Sequence, residues 1–589
     1  MSKQPIRKQY DIVIVGGGIS GVCAAMAAAR HGASTALVHN RPVLGGNASS
    51  EIRMHICGAD CHGKRPNARE TGILEEILLE NKNRNPQWSF SIFDTILWEK
   101  CHFEKNLDLY LNTHMTEVTV EDKVIKKIKA IQLTTEKIFE LEASLFTDAT
   151  GDGTLAYLAG AEYMSGREGR DVFDETHAPE QSDQVTMGNT LLFRAIDTGN
   201  PVPFQKPYWA NTYNEEELKL RDHGEITYGY WWIELGGEEL HTVSDGEEIR
   251  DELLKALYGV WDHIKNKGDH KADNYVLDWV GFLPGKRESR RIQGDYILKE
   301  QDLIGGRIFD DAIAYGGWPM DMHVAGGLRA KLEPTDYIHL DKLYTIPYKS
   351  LYAKDIHNLM LAGRIISASH MAFGSTRVMG TCAVIGQAAG TAGALAIAKG
   401  IRPSAVSTHI SELQQLLLRD DCYIPGLNNE DKRDLASKAL IHCSSAVENG
   451  SCNHVINGIS RSTPDSTNCW ISEEITDEGE WLSLTFPEPI QLSALHIKFD
   501  SDLSREISIS MSERVQKHQI PGPPTTLVKN YQLIFYKEDK QVYSEQIIDN
   551  YLRFKVHQLH APIVCDKIMV KVTETYGDSH ARVYEVRVY

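Results

Sequence analysis

The stretch Asp11–Gly21, DIVIVGGGISG, decides the fold of the N-terminal part of the chain. Its first five residues form the short apolar, β-branched run that is typical of a strand buried in a parallel sheet. The next residues, VCAAMAAARHG, predict an alanine-rich helix that ends at Gly32, and Ser34–Val38 is a second apolar strand. This order of strand, glycine turn, helix and strand predicts a Rossmann-type βαβ unit.

The glycines of this turn have the spacing G-x-G-x-x-G, at Gly16, Gly18 and Gly21. The first allows a tight turn, the second lets the backbone approach a pyrophosphate, and the third lets the helix pack closely on the strand. The helix N-terminus offers N–H donors and the positive end of its dipole to phosphates. Because the motif lies between a predicted strand and a predicted helix, it favours dinucleotide binding over a purely structural glycine turn.

The end of the second strand departs from the usual pattern. An Asp or Glu that binds ribose is expected there, and this chain has His39, followed by Asn40 and Arg41. A hydrogen bond from His39 to a ribose hydroxyl is predicted, together with a contact of Arg41 with phosphate or adenine. A plain solvent-facing turn is the alternative.

Three later segments favour FAD over NAD. Arg41–Arg53 contains a Gly-Gly turn and small polar residues, which suit close approach of the backbone to an extended ligand. Leu145–Thr154 is a strand ending in DATGDGT. Leu359–Ala396 predicts a strand, a long loop of small residues and a helix that starts near Thr381. A helix N-terminus aimed at a flavin would stabilise the negative charge of the reduced ring.

These segments resemble FAD-dependent oxidoreductases of the glutathione-reductase-like superfamily, in a branch common in bacterial carbohydrate-utilisation clusters. The blocks ARETGI (68–73), RESRRIQGDY (287–296) and AYGGWPMDMH (314–323) carry the same resemblance. It implies tightly bound FAD. With the residues predicted above, the expected cofactor contacts are Gly16, Gly18, Gly21, His39, Arg41, Gly45, Gly46, Asn47, Asp148, Gly151, Gly363, Arg364, Gly380 and Thr381.

The candidate chemistry is hydride transfer to flavin from a carbon that bears a hydroxyl. This chemistry needs a base for the hydroxyl proton, and histidine has the most suitable unperturbed pKa. His370 is the first candidate, followed by His323 and His55, and a hydrogen-bonded structural histidine is the alternative for each. Arg287 and Arg377 are expected to bind a substrate carboxylate or ketone oxygen, or else to pair with a nearby acid.

Aromatic residues are frequent in the middle of the chain, where they suit either a sugar platform or ordinary packing. Together with the resemblance, they make a secondary hydroxyl of a sugar or glycoside the predicted electron donor; the electron acceptor is unknown. One alternative is flavin-dependent desaturation or reduction of a carboxylated substrate. Another is a carbohydrate-binding or lyase protein with a redox-idle flavin. The aromatic residues are Tyr208, Trp209, Tyr228, Tyr230, Trp231, Trp232, Trp261, Tyr275, Trp279 and Trp318.

Four residues of one short segment, His55, Cys57, Cys61 and His62, are candidate metal ligands. Two cysteines flanked by histidines offer ligands for zinc or iron. No second ligand pair of matching spacing follows, and the segment is expected to run along the cofactor. The sequence therefore predicts no metal site.

From about Ala436 onward the pattern is all β, with runs such as WLSLTF (481–486), ALHIKFD (494–500) and YQLIFYK (531–537). This part resembles a galactose-binding-like, discoidin-type sandwich, which implies either glycan binding or a structural role. The predicted domains are an α/β Rossmann-type FAD-binding domain (1–175 and 345–420), an inserted β-rich substrate or cap domain (176–344), a linker (421–435) and an all-β jelly-roll sandwich (436–589).

Composition narrows the class of protein. Asp and Glu outnumber Lys and Arg by 81 to 62 in 589 residues, which gives a net charge of −19 and argues against nonspecific nucleic-acid binding. No uninterrupted run of about 18 apolar residues is present, so no membrane partner is expected. Ten scattered cysteines do not form a disulfide scaffold, and the polar first nine residues lack a signal-peptide core. A cytoplasmic protein, with a homo-oligomer possible, is expected.

Overall fold

The computed structural model describes residues 4–589, and the chain forms two compact units. The first unit contains the described residues up to Ala59, Trp88–Leu413 and Ser508–His518. The second contains Asp60–Gln87, Gln414–Ile507 and Gln519–Tyr589. The predicted division into FAD-binding, cap and sandwich domains differs from these two units and stays a prediction.

Helices and strands alternate along much of the first unit, and strands dominate the C-terminal part of the chain. In chain order, the helices are α1 Ile19–Arg30, α2 Ile73–Arg84, α3 Phe90–His102, α4 Thr154–Leu158, α5 Arg170–Phe173, α6 Gly246–Asp262, α7 Glu300–Ile304, α8 His370–Thr376, α9 Met379–Lys399, α10 Ile410–Arg419 and α11 Glu513–His518. The strands are β1 Ile6–Val15, β2 Thr35–Val38, β3 Leu107–Tyr110, β4 Thr113–Glu121, β5 Val124–Gln132, β6 Lys137–Asp148, β7 Tyr163–Met164, β8 Asn189–Thr190, β9 Phe193–Asp197, β10 Glu234–Leu235, β11 Tyr275–Val280, β12 Gly285–Lys286, β13 Arg291–Ile292, β14 Ala312–Gly316, β15 Met320–His323, β16 Thr335–Ile338, β17 Tyr344–Pro347, β18 Leu359–Leu361, β19 Leu440–Cys443, β20 Trp470–Glu474, β21 Glu480–Phe499, β22 Val528–Lys537, β23 Lys540–Ile547, β24 Phe554–Thr575 and β25 His580–Val588.

The first unit is built on a seven-stranded sheet with the order β3-β2-β1-β6-β5-β4, to which β18 adds beside β6. The pairs of β1 with β2 and β6, and of β6 with β18, are parallel, and the predicted Rossmann-type βαβ start is confirmed. Val15 is in register with both Val38 and Asp148, and Asp148 with Leu361. The carboxyl ends of four strands therefore meet at one edge, which is where open α/β sheets bind ligands.

Helices α1 and α9 pack through small residues. A Cβ atom on Gly386 would lie 2.1 Å from the carbonyl oxygen of Ser20, and one on Gly390 would lie 2.1 Å from that of Ala24. By length and composition α9 could span a membrane, although glycine, threonine and glutamine interrupt its apolar sequence. The protein itself buries 89% of the apolar window, so the core of the first unit accounts for this composition.

The middle of the chain forms several small sheets, and residues of β9 and β10 share a buried core with α6. The segment EITYGYWWIEL (225–235) is rich in β-branched and aromatic residues, yet its only named strand is Glu234–Leu235. Tyr230 and Trp232 are buried in a core with Trp261, and the rings of Tyr230 and Trp232 stack 4.8 Å apart. Aromatic packing on α6, rather than strand pairing, fixes this segment.

The second unit contains an antiparallel sheet with the order β20-β25-β21-β24-β22-β23, with β19 beside β21. Two of its strands, β21 and β24, are long, and their mutual register shifts between Thr485 and Ile490 and between Leu492 and Ala494. The runs WLSLTF and ALHIKFD are thus the two ends of one irregular strand. The predicted C-terminal sandwich is confirmed.

Candidate functional site

The glycine turn after β1 contains one position that is open and two that are crowded. Gly16 has a φ of +112°, and a Cβ atom there would lie 2.2 Å from the carbonyl oxygen of Ala149. A Cβ atom on Gly21 would lie 1.8 Å from the oxygen of Gly16, whereas one on Gly18 would meet nothing within 4 Å. Gly18 is the N-cap of α1 and provides no side-chain cap for its first amides. This arrangement leaves room and donors for a phosphate.

The other predicted glycine loops lie against the same turn. Gly18 forms a parallel β-bridge with Gly45, and a Cβ atom on Gly46 would lie 3.1 Å from the Cα atom of Gly18. A Cβ atom on Gly363 would lie 3.1 Å from that of Ser20, whose buried hydroxyl has no hydrogen-bond partner within residues 4–589. The structure therefore brings three predicted cofactor loops together at the N-terminus of α1.

Asp148 and Asp152, both in the DATGDG segment, have different tasks. Asp148 accepts hydrogen bonds from the amides of Thr150 and Ala156, each at 2.9 Å, so it holds the loop that follows β6. Burial raises the pKa of Asp148, and these amide hydrogen bonds act in the opposite direction. The carboxylate of Asp148, which was predicted to contact the cofactor, thus accepts hydrogen bonds from the loop that follows it.

Asp152, which was not predicted, joins two cations at this edge. Its carboxylate lies 2.6 Å from Nζ of Lys286 and 3.2 Å from a terminal nitrogen of Arg364. Burial alone would raise the pKa of Asp152, but these two cations bring it below its usual range. Nε of Arg364 is buried without a protein acceptor in the described chain, and its guanidinium lies beside Gly151. Asp152 is the second acidic residue of the DATGDG segment, and this is the feature from which the sequence could have identified it as a site residue.

His39 supports the glycine turn. Its Nδ1 accepts a hydrogen bond from the amide of Gly17 at 3.0 Å, and a Cβ atom on Gly17 would collide with the imidazole ring. Burial, with a further contribution from Arg41, lowers the pKa of His39 to about 4, so the ring is neutral at pH 7. The predicted ribose contacts of His39 and Arg41 stay predictions.

The remaining predicted cofactor residues lie on neighbouring backbone. Nδ2 of Asn47 donates to the carbonyl of Lys286 at 3.0 Å, and the amide of Gly380 donates to the carbonyl of Cys57 at 2.8 Å. Thr381 is buried in the first turn of α9. The long loop expected before this helix was wrong in part, because Ser369 caps a short helix, α8, by accepting from the amide of Ala372.

His370, the first residue of α8, is paired with a buried carboxylate. Its Nδ1 lies 2.9 Å from Glu288, which is fully buried and also contacts Arg291 and the amide of Met187. Burial alone would raise the pKa of Glu288, but His370 and Arg291 bring it below its usual range. No hydrogen-bond partner for Nε2 of His370 occurs among residues 4–589. That nitrogen is available to accept a proton.

His323 lies between two carboxylates instead. Its Nδ1 is 2.6 Å from Glu234, and its Nε2 is 3.5 Å from Asp321. Burial would raise the pKa of Asp321, but His323 and Arg377 hold it far below its usual range. Arg287 contacts the same Glu234 at 3.3 Å. Both ring nitrogens of His323 thus face protein acids.

The guanidinium of Arg287 is buried and bonded to the protein. It donates to the hydroxyl of Thr190 at 2.6 Å and to the carbonyl of Trp231 at 2.8 Å, in addition to its contact with Glu234. Burial lowers its pKa, and Glu234 acts in the opposite direction. The structure thus shows the pairing with a nearby acid that was the alternative to substrate binding.

His55 lies on the loop that follows the Gly-Gly turn. The amide of Met54 donates to the carbonyl of Asn47 at 2.8 Å, which closes this loop back toward the turn. His55 is half-buried, and its carbonyl lies 3.9 Å from Sγ of Cys57. Cys61 and His62, which the sequence groups with them, belong to the second compact unit.

The aromatic residues divide between core and surface. Tyr230, Trp232, Trp261 and Trp318 are buried. Trp231 is partly exposed and packs edge-on against His323 at 5.3 Å. Of the predicted platform residues, Trp231 thus lies beside the candidate site.

Replacement of Gly18 by alanine tests whether the open position holds the cofactor. Gly18 has φ −65° and ψ 173°, which alanine adopts without strain, and the new Cβ atom would have free space in the protein alone. We expect an unchanged melting temperature of the apoprotein and at least a tenfold loss of FAD affinity, which corresponds to about 1.4 kcal/mol. Fluorescence titration of the apoprotein with FAD measures this affinity.

Gly246→Ala is the matched control, because a Cβ atom on Gly246 would also meet nothing within 4 Å. We expect it to leave FAD affinity unchanged. Equal affinities of the Gly18→Ala variant and the wild-type protein would contradict a phosphate at this turn.

Parts of the chain are similar to known proteins. The chain is 27% identical over 157 residues to the tRNA uridine 5-carboxymethylaminomethyl modification enzyme of Mycoplasma capricolum, which is 22% of this chain and about a quarter (24%) of that enzyme. Among solved structures it is similar to a fucose-binding module of Streptococcus pneumoniae (17% identity, 26% of this chain, 96% of the module, TM-score 0.21). It is also similar to a family 32 carbohydrate-binding module of C. perfringens in complex with galactose (13%, 26%, 94%, TM-score 0.19).

The family comparison covers most of the first unit. Residues 11–417 match the model of the family described as FAD dependent oxidoreductase. The matched range contains the open glycine turn, the loops at Gly45 and Gly363, and the pair of Asp152 with Arg364. The chain therefore belongs to the FAD-dependent oxidoreductase family, and the cofactor predicted from its sequence is confirmed as FAD.

Proposed function

We propose that this FAD-dependent oxidoreductase oxidises a secondary hydroxyl of a sugar or glycoside, with His370 as the base. The observation that carries the proposal is the pair of His370 with Glu288. One ring nitrogen is held by a buried carboxylate at 2.9 Å, and the other has no partner within residues 4–589. Of the predicted histidines, His323 lacks this arrangement because both its ring nitrogens face acids.

The surroundings of His370 orient the ring. The carboxylate of Glu288 would accept a hydrogen bond from Nδ1–H of His370, which leaves Nε2 to take the hydroxyl proton. Glu168 accepts from the backbone amide of His370 at 2.8 Å and contacts Arg291 at 2.5 Å. After proton transfer, Glu288 would stabilise the imidazolium. When bound, FAD supplies the acceptor for the hydride that leaves the carbinol carbon.

The second polar cluster is better suited to holding the site together than to proton transfer. Glu234 joins His323 and Arg287, and Asp321 joins His323 and Arg377. These ion pairs lie beside Trp231, whose exposed part would pack on the apolar face of a sugar ring. The cluster therefore supports an uncharged polar substrate more than a carboxylate, which would meet Glu234 and Asp321 here.

Anaerobic spectroscopy of the purified protein tests the proposal. We expect one sugar or glycoside from a panel to bleach the flavin absorbance near 450 nm, with a ketone as product. The panel also contains hydroxy acids and unsaturated acids. Bleaching by a hydroxy acid alone would move the function to a carboxylated substrate. Formation of an unsaturated sugar by a protein that stays yellow would show a lyase reaction and contradict the oxidation.

A further inference from the structure

Three histidines and one glutamate converge at the C-terminal end of α6, away from the glycine turn in sequence. They are Glu215, His223, His263 and His270, and the ligand atoms of all four lie within 4.8 Å of one another. His223 and His263 are buried, His270 is half-buried and Glu215 is exposed. The residues come from three separate segments, so they form no sequence motif.

The spacing of these atoms fits a single ion. Nε2 of His263 lies 3.2 Å from Nε2 of His270 and 3.0 Å from a carboxylate oxygen of Glu215, whose other oxygen is 3.6 Å from Nε2 of His223. Ligand atoms at the corners of a tetrahedron about 2.0–2.1 Å from zinc lie about 3.3 Å apart. The three ring centroids are 4.9, 5.1 and 5.4 Å apart.

The rings present their Nε2 atoms as ligands. Nδ1 of His223 is hydrogen-bonded to the carbonyl of Arg221, which places the proton on Nδ1 and leaves the lone pair on Nε2.

The backbone around the cluster is held in place. The guanidinium of Arg221 donates to the carbonyls of Gly327, Ala330 and Leu332. Lys265 donates to the carbonyls of Ala272 and Asp273, which fixes the loop that carries His270. His263 begins a π-helical turn, His263–Lys267, a rare conformation that is frequent at functional sites.

We propose that Glu215, His223, His263 and His270 bind one divalent transition-metal ion, for which zinc is the best-matched probe. Three imidazole nitrogens and one carboxylate suit zinc better than magnesium or calcium, which prefer oxygen ligands. The site lacks a fifth protein ligand among the described residues and has its glutamate in solvent, so the ion enters and leaves from that side.

The ion has a structural task at this position. Between β9 and β10 the chain runs from Thr198 to Ile233 without a helix or strand, and such long irregular segments are uncommon in compact domains. Coordination by Glu215 and His223 ties this segment to the end of α6. Metal binding then adds directly to the stability of the folded state.

Metal analysis of the full-length holoprotein tests the site. We expect about one zinc per chain after purification with zinc and gel filtration, and at least a tenfold lower content in the double variant His263→Asn, His270→Asn. Glu215→Gln, at an exposed position, should keep the fold and bind zinc at least tenfold more weakly. Chelation should lower the melting temperature of the wild-type protein, and zinc, but not magnesium, should restore it.

The controls separate this site from others. His339→Asn replaces an exposed histidine of the same unit and should retain zinc. The FAD content of each variant, read from the visible spectrum, reports whether the first unit is folded. Equal zinc binding by the wild-type protein, the Glu215→Gln variant and the double variant would overturn the proposal, as would a wild-type protein that takes up no zinc.

Discussion

Replacement of His370 by asparagine is expected to slow anaerobic bleaching of the flavin by its substrate about 10²–10⁴-fold, the usual contribution of a positioned base. FAD content should stay unchanged, because the hydrogen-bond partners of His370 are Glu288 and Glu168, neither of which belongs to the glycine turn. Stopped-flow measurement of the reduction rate under substrate saturation checks this. The product should remain the ketone.

Two companion measurements distinguish a base from a structural residue. The pH profile of the reduction rate should differ between the wild-type protein and the His370→Asn variant, because only the wild-type protein contains the proposed base. His409→Asn, which removes a half-exposed histidine 3.8 Å from Glu412, is the matched control and should react normally. A His370→Asn variant that bleaches at the wild-type rate would remove His370 from the mechanism.

Replacement of Glu585 by glutamine is expected to cost the second unit about 3–5 kcal/mol of its free energy of unfolding, because it removes the anion nearest to two buried cations. Glu585 lies 2.7 Å from both Lys498 and Arg587, and all three side chains are buried. Urea unfolding followed by tryptophan fluorescence measures the change. The double replacement Lys498→Met, Glu585→Leu should recover part of the loss, since well-packed apolar residues often replace a buried ion pair.

The pH dependence of this loss has a defined sign. Burial alone would raise the pKa of Glu585, but Lys498 and Arg587 lower it from 4.5 to about 2. The carboxylate therefore contributes its full stabilisation above about pH 5 and loses it as the pH falls toward 2. The difference between wild type and variant should shrink over that range. Glu574→Gln, at the exposed pair with Lys529, is the control and should have a small effect at every pH.

The chemistry of single residues allowed much of the fold to be predicted. Gly16, Gly18 and Gly21 could be recognised from their spacing, because each position has a geometric requirement that favours glycine. Gly16 has a positive φ, Gly18 is the open position expected to approach the phosphate, and Gly21 packs closely on Gly16. The alternation of apolar residues in β22 helped to predict the sandwich for a similar reason, since burial on one face of a strand repeats every second residue. Because each of these requirements involves residues that are close together in the chain, it can be recognised from the sequence alone.

Tertiary structure decided the partners of the charged side chains. Asp148 and Asp152 are four residues apart in one motif, yet one holds its own loop and the other joins Lys286 to Arg364. The sequence did not distinguish the surroundings of His370 from those of His323. In the folded chain, the His370 ring contacts one carboxylate, whereas the His323 ring contacts two. The sequence by itself determined the Rossmann-type start, the cofactor and the sandwich, because local geometry and periodicity encode them. The hydrogen-bond partners and the role of each histidine depend on contacts between residues far apart in the chain, and these contacts form only when the chain folds.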